Sequence, residues 1–177
     1  MTSSRGLQIR AARRGDVSAC ARLVAQEPLW HRYGLSARRA SALIRWALRR
    51  REPILVAVRG GEVLGFVWFQ HRGTFVHSGY VRWIVTAAGA RGQGIGSALL
   101  RAAEERILRH GPNVFLLVSH FNRRAQRFYR KMGYQRVGVL RHYVHRGIHE
   151  WIFRKTRGPL AQFEHRRQRR TRREVRP

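Results

Sequence analysis

Between a strand-like run ending at Thr86 and a following helical run, the chain reads Arg91-Gly92-Gln93-Gly94-Ile95-Gly96. Glycines placed this densely let the backbone turn sharply and present its N–H groups to a ligand with no Cβ in the way. The helix start beyond adds orphan donors and a partial positive charge. The segment predicts a strand–loop–helix unit able to cradle a phosphate or pyrophosphate. It is not a Walker loop, because no Lys-Ser/Thr follows. Nor is it the dinucleotide fingerprint, since Leu99 stands where GxGxxG counted from Gly94 needs its last glycine. Spacing alone leaves a ligand-free glycine turn as the alternative.

Hydrophobic periodicity places this unit within one domain. Leu7 to Arg10 reads as a first strand. Asp16 reads as the N-cap of a helix carrying Val17, Cys20, Ala21 and Val24 on one face and ending at Pro28. Ser36 caps a second helix, with Ala40, Leu43, Ile44, Ala47 and Leu48 at helical spacing. Ile54–Arg59 and Val63–His71 form a hairpin about Gly60-Gly61, and Phe75–Thr86 is a third long strand. After the loop Ala87–Gly96, a helix runs from Ser97 to His110 and stops at Gly111-Pro112. Val114–Val118 is an apolar strand covered on both faces. Asn122 caps a helix presenting Ala125, Phe128, Tyr129 and Met132, and Gly133 closes it. Val137–Leu140 and His149–Phe153 are the final strands. This order predicts an α/β (α+β) domain, a mixed sheet with helices on both faces.

Charge and cysteine content narrow the partners. The chain carries 37 Lys+Arg against 9 Asp+Glu, a formal +28. Such a field attracts polyanions and disfavours polycationic ligands. From Arg166 to Arg176 the sequence RRQRRTRREVR has almost nothing to bury. Residues 158–177 therefore read as an Arg-rich extension beyond a 1–157 domain, with non-specific nucleic-acid or ribosome contact as one use and a solvated tail as the other. Cys20 is the single cysteine, which rules out an internal disulfide. No segment approaches the roughly 18 apolar residues of a membrane helix. No secretory signal pattern follows Met1, so the expected location is the cytoplasm, away from membranes.

Two motifs taken together resemble the GCN5-related N-acetyltransferase (GNAT) family. Arg91, Gly94 and Gly96 fill its pyrophosphate loop, Q/R-x-x-G-x-G/A. Asn122, Ala125, Phe128, Tyr129, Gly133 and Tyr134 fill its second signature, N-x-x-A-x-x-F-Y-x-x-x-G-F/Y. The resemblance extends over about Leu7 to Lys155. It implies a mostly antiparallel sheet of six to seven strands with about four helices, splayed between the fourth and fifth strands. It also implies an acetyltransferase using acetyl-CoA as co-substrate and an amine as acceptor, without a metal. By position, the backbones of Ile84, Val85 and Thr86 line the pantetheine arm. The amides of Gly92, Gln93, Gly94, Ile95, Gly96 and Ser97 hold the pyrophosphate, with Arg91 nearby. Asn122 contacts the cofactor, an N–H near Val85 polarises the carbonyl, and Tyr129 is the general acid for the departing thiolate.

The general base departs from the family pattern. Phe75 to Ala90 contains no acid, and Leu117 stands where N-terminal acetyltransferases often carry a glutamate. His77, His120, Glu150, Glu27 and a water wire all remain open. His142, His145 and His149 fall in a segment read as loop entering strand, which disfavours a metal site. For the acceptor site the resemblance points to Tyr143 in the loop before the last strand. Trp30 and Tyr33 form the opposite wall, and His77 is a further candidate. An amino-terminal peptide or a small neutral-to-acidic amine fits the charge better than a polyamine.

Overall fold

A computed structural model describes residues 6–75 and 77–163; the Arg166–Arg176 stretch lies outside the described residues. Seven strands form one sheet in the order β1-β2-β3-β4-β5-β7-β6. They are β1 Gln8–Ala11, β2 Ile54–Arg59, β3 Glu62–Thr74, β4 Ser78–Thr86, β5 Asn113–Ser119, β6 Gln135–Leu140 and β7 Glu150–Thr156. Every neighbouring pair is antiparallel except β4 with β5. The helices are α1 Val17–Ala25, the short α2 Pro28–His31, α3 Ala37–Arg49, α4 Ile95–Ile107 and α5 Arg123–Lys131.

Helices cover both faces. On one, α1 and α3 bury Cys20, Val24, Ala40, Ile44 and Ala47 against Val56, Phe66, Trp68 and Trp83. On the other, α4 and α5 bury Ile95, Leu99, Ala103, Ile107 and Tyr129 against Val67, Phe69, Val114, Leu116 and Phe153. Trp68 is fully buried, its indole N–H donates to Glu52 Oε2 at 2.7 Å, and it meets Trp83 edge-on at 5.2 Å. Such a pair contributes about 1 kcal/mol beyond area burial. Burial also pushes the Cys20 thiol up to about 12, which makes it an inert core residue.

Local chemistry moved several expected boundaries. Asp16 precedes α1 but its carboxylate does not cap it. The carboxylate turns back to accept the Arg10 guanidinium at 2.7 and 2.9 Å and the Arg13 N–H at 2.7 Å. Pro28 starts α2 rather than merely ending α1, since a first-turn proline has no N–H to waste. Phe75 takes a positive φ of 44°, so β4 begins at Ser78 and not at residue 75. The helix after the glycine loop starts at Ile95, two residues earlier than its polar Ser97 indicated.

Two features of β4 set up the site. Trp68 pairs with Trp83 but Phe69 pairs with Val81, which leaves Arg82 as an extra residue in a β-bulge. Val81 consequently faces the α4 core and Trp83 the α1/α3 core. The parallel ladder to β5 then spans only Gly79, Tyr80 and Val81 against Val114, Phe115 and Leu116. Past those residues the two strands part. The ladder depends on close packing from α4, because a Cβ at Gly79 would stand 2.1 Å from Ile107 Cγ2. Gly79→Ala is expected to cost about 2 kcal/mol by overpacking. Thermal denaturation should show it as a Tm lower by roughly 6 °C for a chain of this size.

Candidate active site

The parted ends of β4 and β5 open a cleft of about 1040 Å³ that joins the two faces of the sheet. Along its β4 wall, Ile84, Val85 and Thr86 pair with β3 on one side only. Leu117 to Ser119 on β5 pair only with β7. Two strand edges with unspent backbone groups thus face each other across the gap, an arrangement an amide-bearing chain can satisfy.

The glycine loop closes one end. Gly92 and Gly94 adopt positive φ of 78° and 77°. Ala98 makes the first bond inside α4, to the Gly94 carbonyl at 2.9 Å, so the amides of Ile95, Gly96 and Ser97 have no acceptor within the helix. A Cβ on Gly96 would touch Thr86 and Phe128 at 3.6–3.7 Å. Arg101, Arg124 and Lys131 add positive charge to the cleft walls. Free amides at a helix N-terminus with positive charge around them suit an anionic group. Gly94→Val is expected to weaken acetyl-CoA binding about tenfold, since a β-branched residue resists the left-handed conformation by roughly 1–2 kcal/mol. Titration calorimetry checks it.

Most residues expected from the sequence converge here. Ile84, Val85, Thr86, Arg91, Gly92, Gly94, Ile95, Gly96, Ser97, Asn122 and Tyr129 line the cleft, as do Trp30, Tyr33 and Tyr143. Two do not. Gln93 directs its side chain outward, donating to the Gly89 carbonyl at 3.1 Å and accepting from Arg59 at 2.8 Å; only its backbone remains near the cradle. His77 lies outside the cleft, because the turn at Phe75 shifts it before β4 and its carbonyl backs onto Gly111. Arg91 is also less available than expected. Its guanidinium is engaged by the Glu27 carboxylate, which joins the α1–α2 segment to the loop.

The two faces carry different groups. On the α4/α5 side, Asn122 caps α5 by accepting the Ala125 N–H at 3.1 Å, and the ring of Tyr129 packs between Phe128, Tyr134 and Phe153. Burial, reinforced by Tyr80, raises the Tyr129 pKa well above the phenol range, so the hydroxyl stays protonated at neutral pH. On the α1/α3 side, Glu150 is 5% exposed and accepts the Tyr33 hydroxyl at 2.5 Å; the same hydroxyl meets Ser119 Oγ at 2.5 Å. Burial raises the Glu150 pKa, and hydrogen bonds from Tyr33 and Ser119 and the nearby His120 only partly offset it. Ser119, unremarked in the sequence, is found only through the register Ser119↔Glu150.

The histidines serve the β6–β7 loop. His142 Nδ1 accepts from Gly147 N–H at 2.8 Å, His149 Nδ1 from His142 N–H at 3.2 Å, and His120 Nδ1 from His149 N–H at 3.2 Å. Each ring must present an unprotonated Nδ1 to do so. Among the described residues no group of three or more His, Cys, Asp or Glu is arranged to hold a metal. Partial burial, with His142, His120 and Arg141 adding positive charge, holds the His149 pKa below its ordinary value. Its contact is therefore complete above about pH 6.5 and is lost as pH falls through that lowered value. Hydrogen exchange at the His142 amide, which the His149 ring accepts, is expected to lose protection as pH falls below about 6.5, after correction for intrinsic rates.

A splayed parallel pair beside a glycine loop at a helix N-terminus is the architecture of this chain. The chain belongs to the Acetyltransferase (GNAT) family, whose model matches residues 18–134, and is an acetyl-CoA-dependent N-acetyltransferase by class. It is 30% identical over 144 residues to the uncharacterized N-acetyltransferase YhfO of Bacillus subtilis, covering 77% of this chain and 95% of that protein. Its fold is similar to an N-acetyltransferase from Staphylococcus aureus (TM-score 0.71, 20% identity, 85% of this chain and 98% of the other). It is similar also to YncA of Salmonella typhimurium, solved with its cofactor acetyl-CoA (TM-score 0.65, 16% identity, 85% and 93% covered). Among the described residues no helix is long and apolar enough to cross a membrane.

Proposed function

We propose that this protein transfers the acetyl group of acetyl-CoA directly to a primary amine within a ternary complex, the two substrates entering from opposite faces of the sheet. The observation that carries the reading is the gap between β4 and β5, which connects the glycine cradle on the α4 side to the Glu150 chamber on the α1/α3 side. Gly92 to Ser97 hold the diphosphate through their amides, and the free edge of Ile84–Thr86 takes the pantetheine amides as an added strand. Bound acetyl-CoA supplies an activated thioester.

Glu150 is the general base in this reading. It sits on the strand beside β5, diagonal to Leu117 and on the same face, through the pairs Leu117↔Ile152 and Ser119↔Glu150. A carboxylate displaced by one strand from the family position still reaches the same space. The acceptor attacks as the neutral amine, any ammonium proton having first gone to solvent, and Glu150 accepts the proton then lost by nitrogen as the N–C bond forms. Tyr129 gives its proton to sulfur as the C–S bond breaks, so the net transfer is one proton from nitrogen to sulfur. A backbone N–H at the β4 bulge stabilises the developing oxyanion. Calorimetry with acetyl-CoA, followed by a thiol-release assay over a panel of amines, tests the proposal. Absence of binding, or binding without thiol release from any amine, sinks it.

A further inference from the structure

Resting on that reading, we infer that the acceptor is an amine of single positive charge borne on an aromatic or branched aliphatic frame, either as a free amine or as the first residue of a peptide. The acceptor-side chamber has walls from Trp30, Phe115, Leu117 and Tyr143, with Phe75 at the hairpin tip. Two tilted ring pairs contribute, Trp30 against Trp83 at 5.2 Å and Phe75 against Phe115 at 5.0 Å. Polar or charged groups on the frame would lose water against these rings without gaining partners, whereas an apolar frame gains by burial.

The exposed apolar residues point the same way. Phe75, Tyr143 and Val144 are 65%, 61% and 47% exposed, and all three line this cleft. Large apolar side chains gathered at a cleft mouth mark the place where an apolar ligand is bound.

Charge sets the upper limit of one ammonium. Seven acids lie among the described residues. Asp16, Glu104 and Glu105 are held by Arg10, Lys155 and Arg109, and Glu52 accepts from Trp68 and Gln70. Glu62 is on the β2–β3 hairpin, away from the cleft. Of the two acids lining the cleft, Glu27 is taken by Arg91, which leaves Glu150 to face an ammonium. Arg82, also on the cleft wall, repels a second one.

The test measures kcat/KM by thiol release with the full chain at saturating acetyl-CoA. Acceptors are phenethylamine, isoamylamine, a Phe-initiated peptide amide, glycinamide and spermidine. Phenethylamine, isoamylamine or the peptide is expected to exceed glycinamide and spermidine by about 100-fold, as pocket burial of several carbons permits. The faster of free amine and peptide identifies the source. Phe75→Ala, a substitution at an exposed tip that leaves the core intact, should compress the phenethylamine-to-glycinamide ratio about tenfold. Equal or faster turnover of spermidine, or an unchanged ratio in Phe75→Ala, overturns the inference while leaving acetyl transfer standing. Acetyl-CoA binding without thiol release from any acceptor removes the transferase reading itself, and this inference with it.

Discussion

Tyr129→Phe is expected to lower kcat by roughly two to four orders of magnitude, the range a positioned general acid contributes, while leaving the acetyl-CoA Kd within about threefold. The substitution deletes one oxygen from a ring 6% exposed and keeps its contacts with Phe128, Tyr134 and Phe153. Among the described residues no hydrogen bond uses that hydroxyl, so its loss leaves no protein group stranded. Core packing therefore predicts a stable variant, and the chemical role predicts a slow one. Single-turnover acetylation combined with a thermal melt separates the two. A variant with native turnover would reduce Tyr129 to a packing residue.

Glu150→Gln should lower kcat/KM by a similar factor and erase the acid limb of its pH profile. With Glu150 as the proposed base, its raised pKa would place the loss of activity above the usual carboxylate range near pH 4.3. The deprotonated, proton-accepting form accumulates as pH rises through that value, so activity climbs with pH. Gln keeps the volume and can still meet Tyr33, which preserves the chamber while removing the basic lone pair. An acid limb that survives the substitution unchanged, with native kcat at its plateau, would assign the base elsewhere.

The glycine loop and α5 were legible in the sequence because their constraints are local. Positive φ at Gly92 and Gly94 and the cap at Asn122 are each written within a few residues. What required the structure was set by pairing across long separations. Glu150 is prominent only once β7 is registered against β5, where it falls beside Ser119. Glu27 and Arg91 are 64 positions apart, and no local pattern announces their contact. His77 was misplaced for the opposite reason. A β-rich run continues through it, yet the backbone turns at Phe75 before the strand begins. The histidine spacing in 142–149 mimics a ligand set, but backbone amides of the same loop occupy the ring nitrogens.

The brevity of the ladder between β4 and β5 has a mechanical corollary. Strands β1–β4 form one slab and β5–β7–β6 another, joined at the sheet level by a seam of three residue pairs. A co-substrate lying in the seam, as proposed, would supply the rungs that the polypeptide lacks and clasp the slabs into a single plate. Under the proposed mode of binding, the reactive centre would be held most firmly with the thioester present.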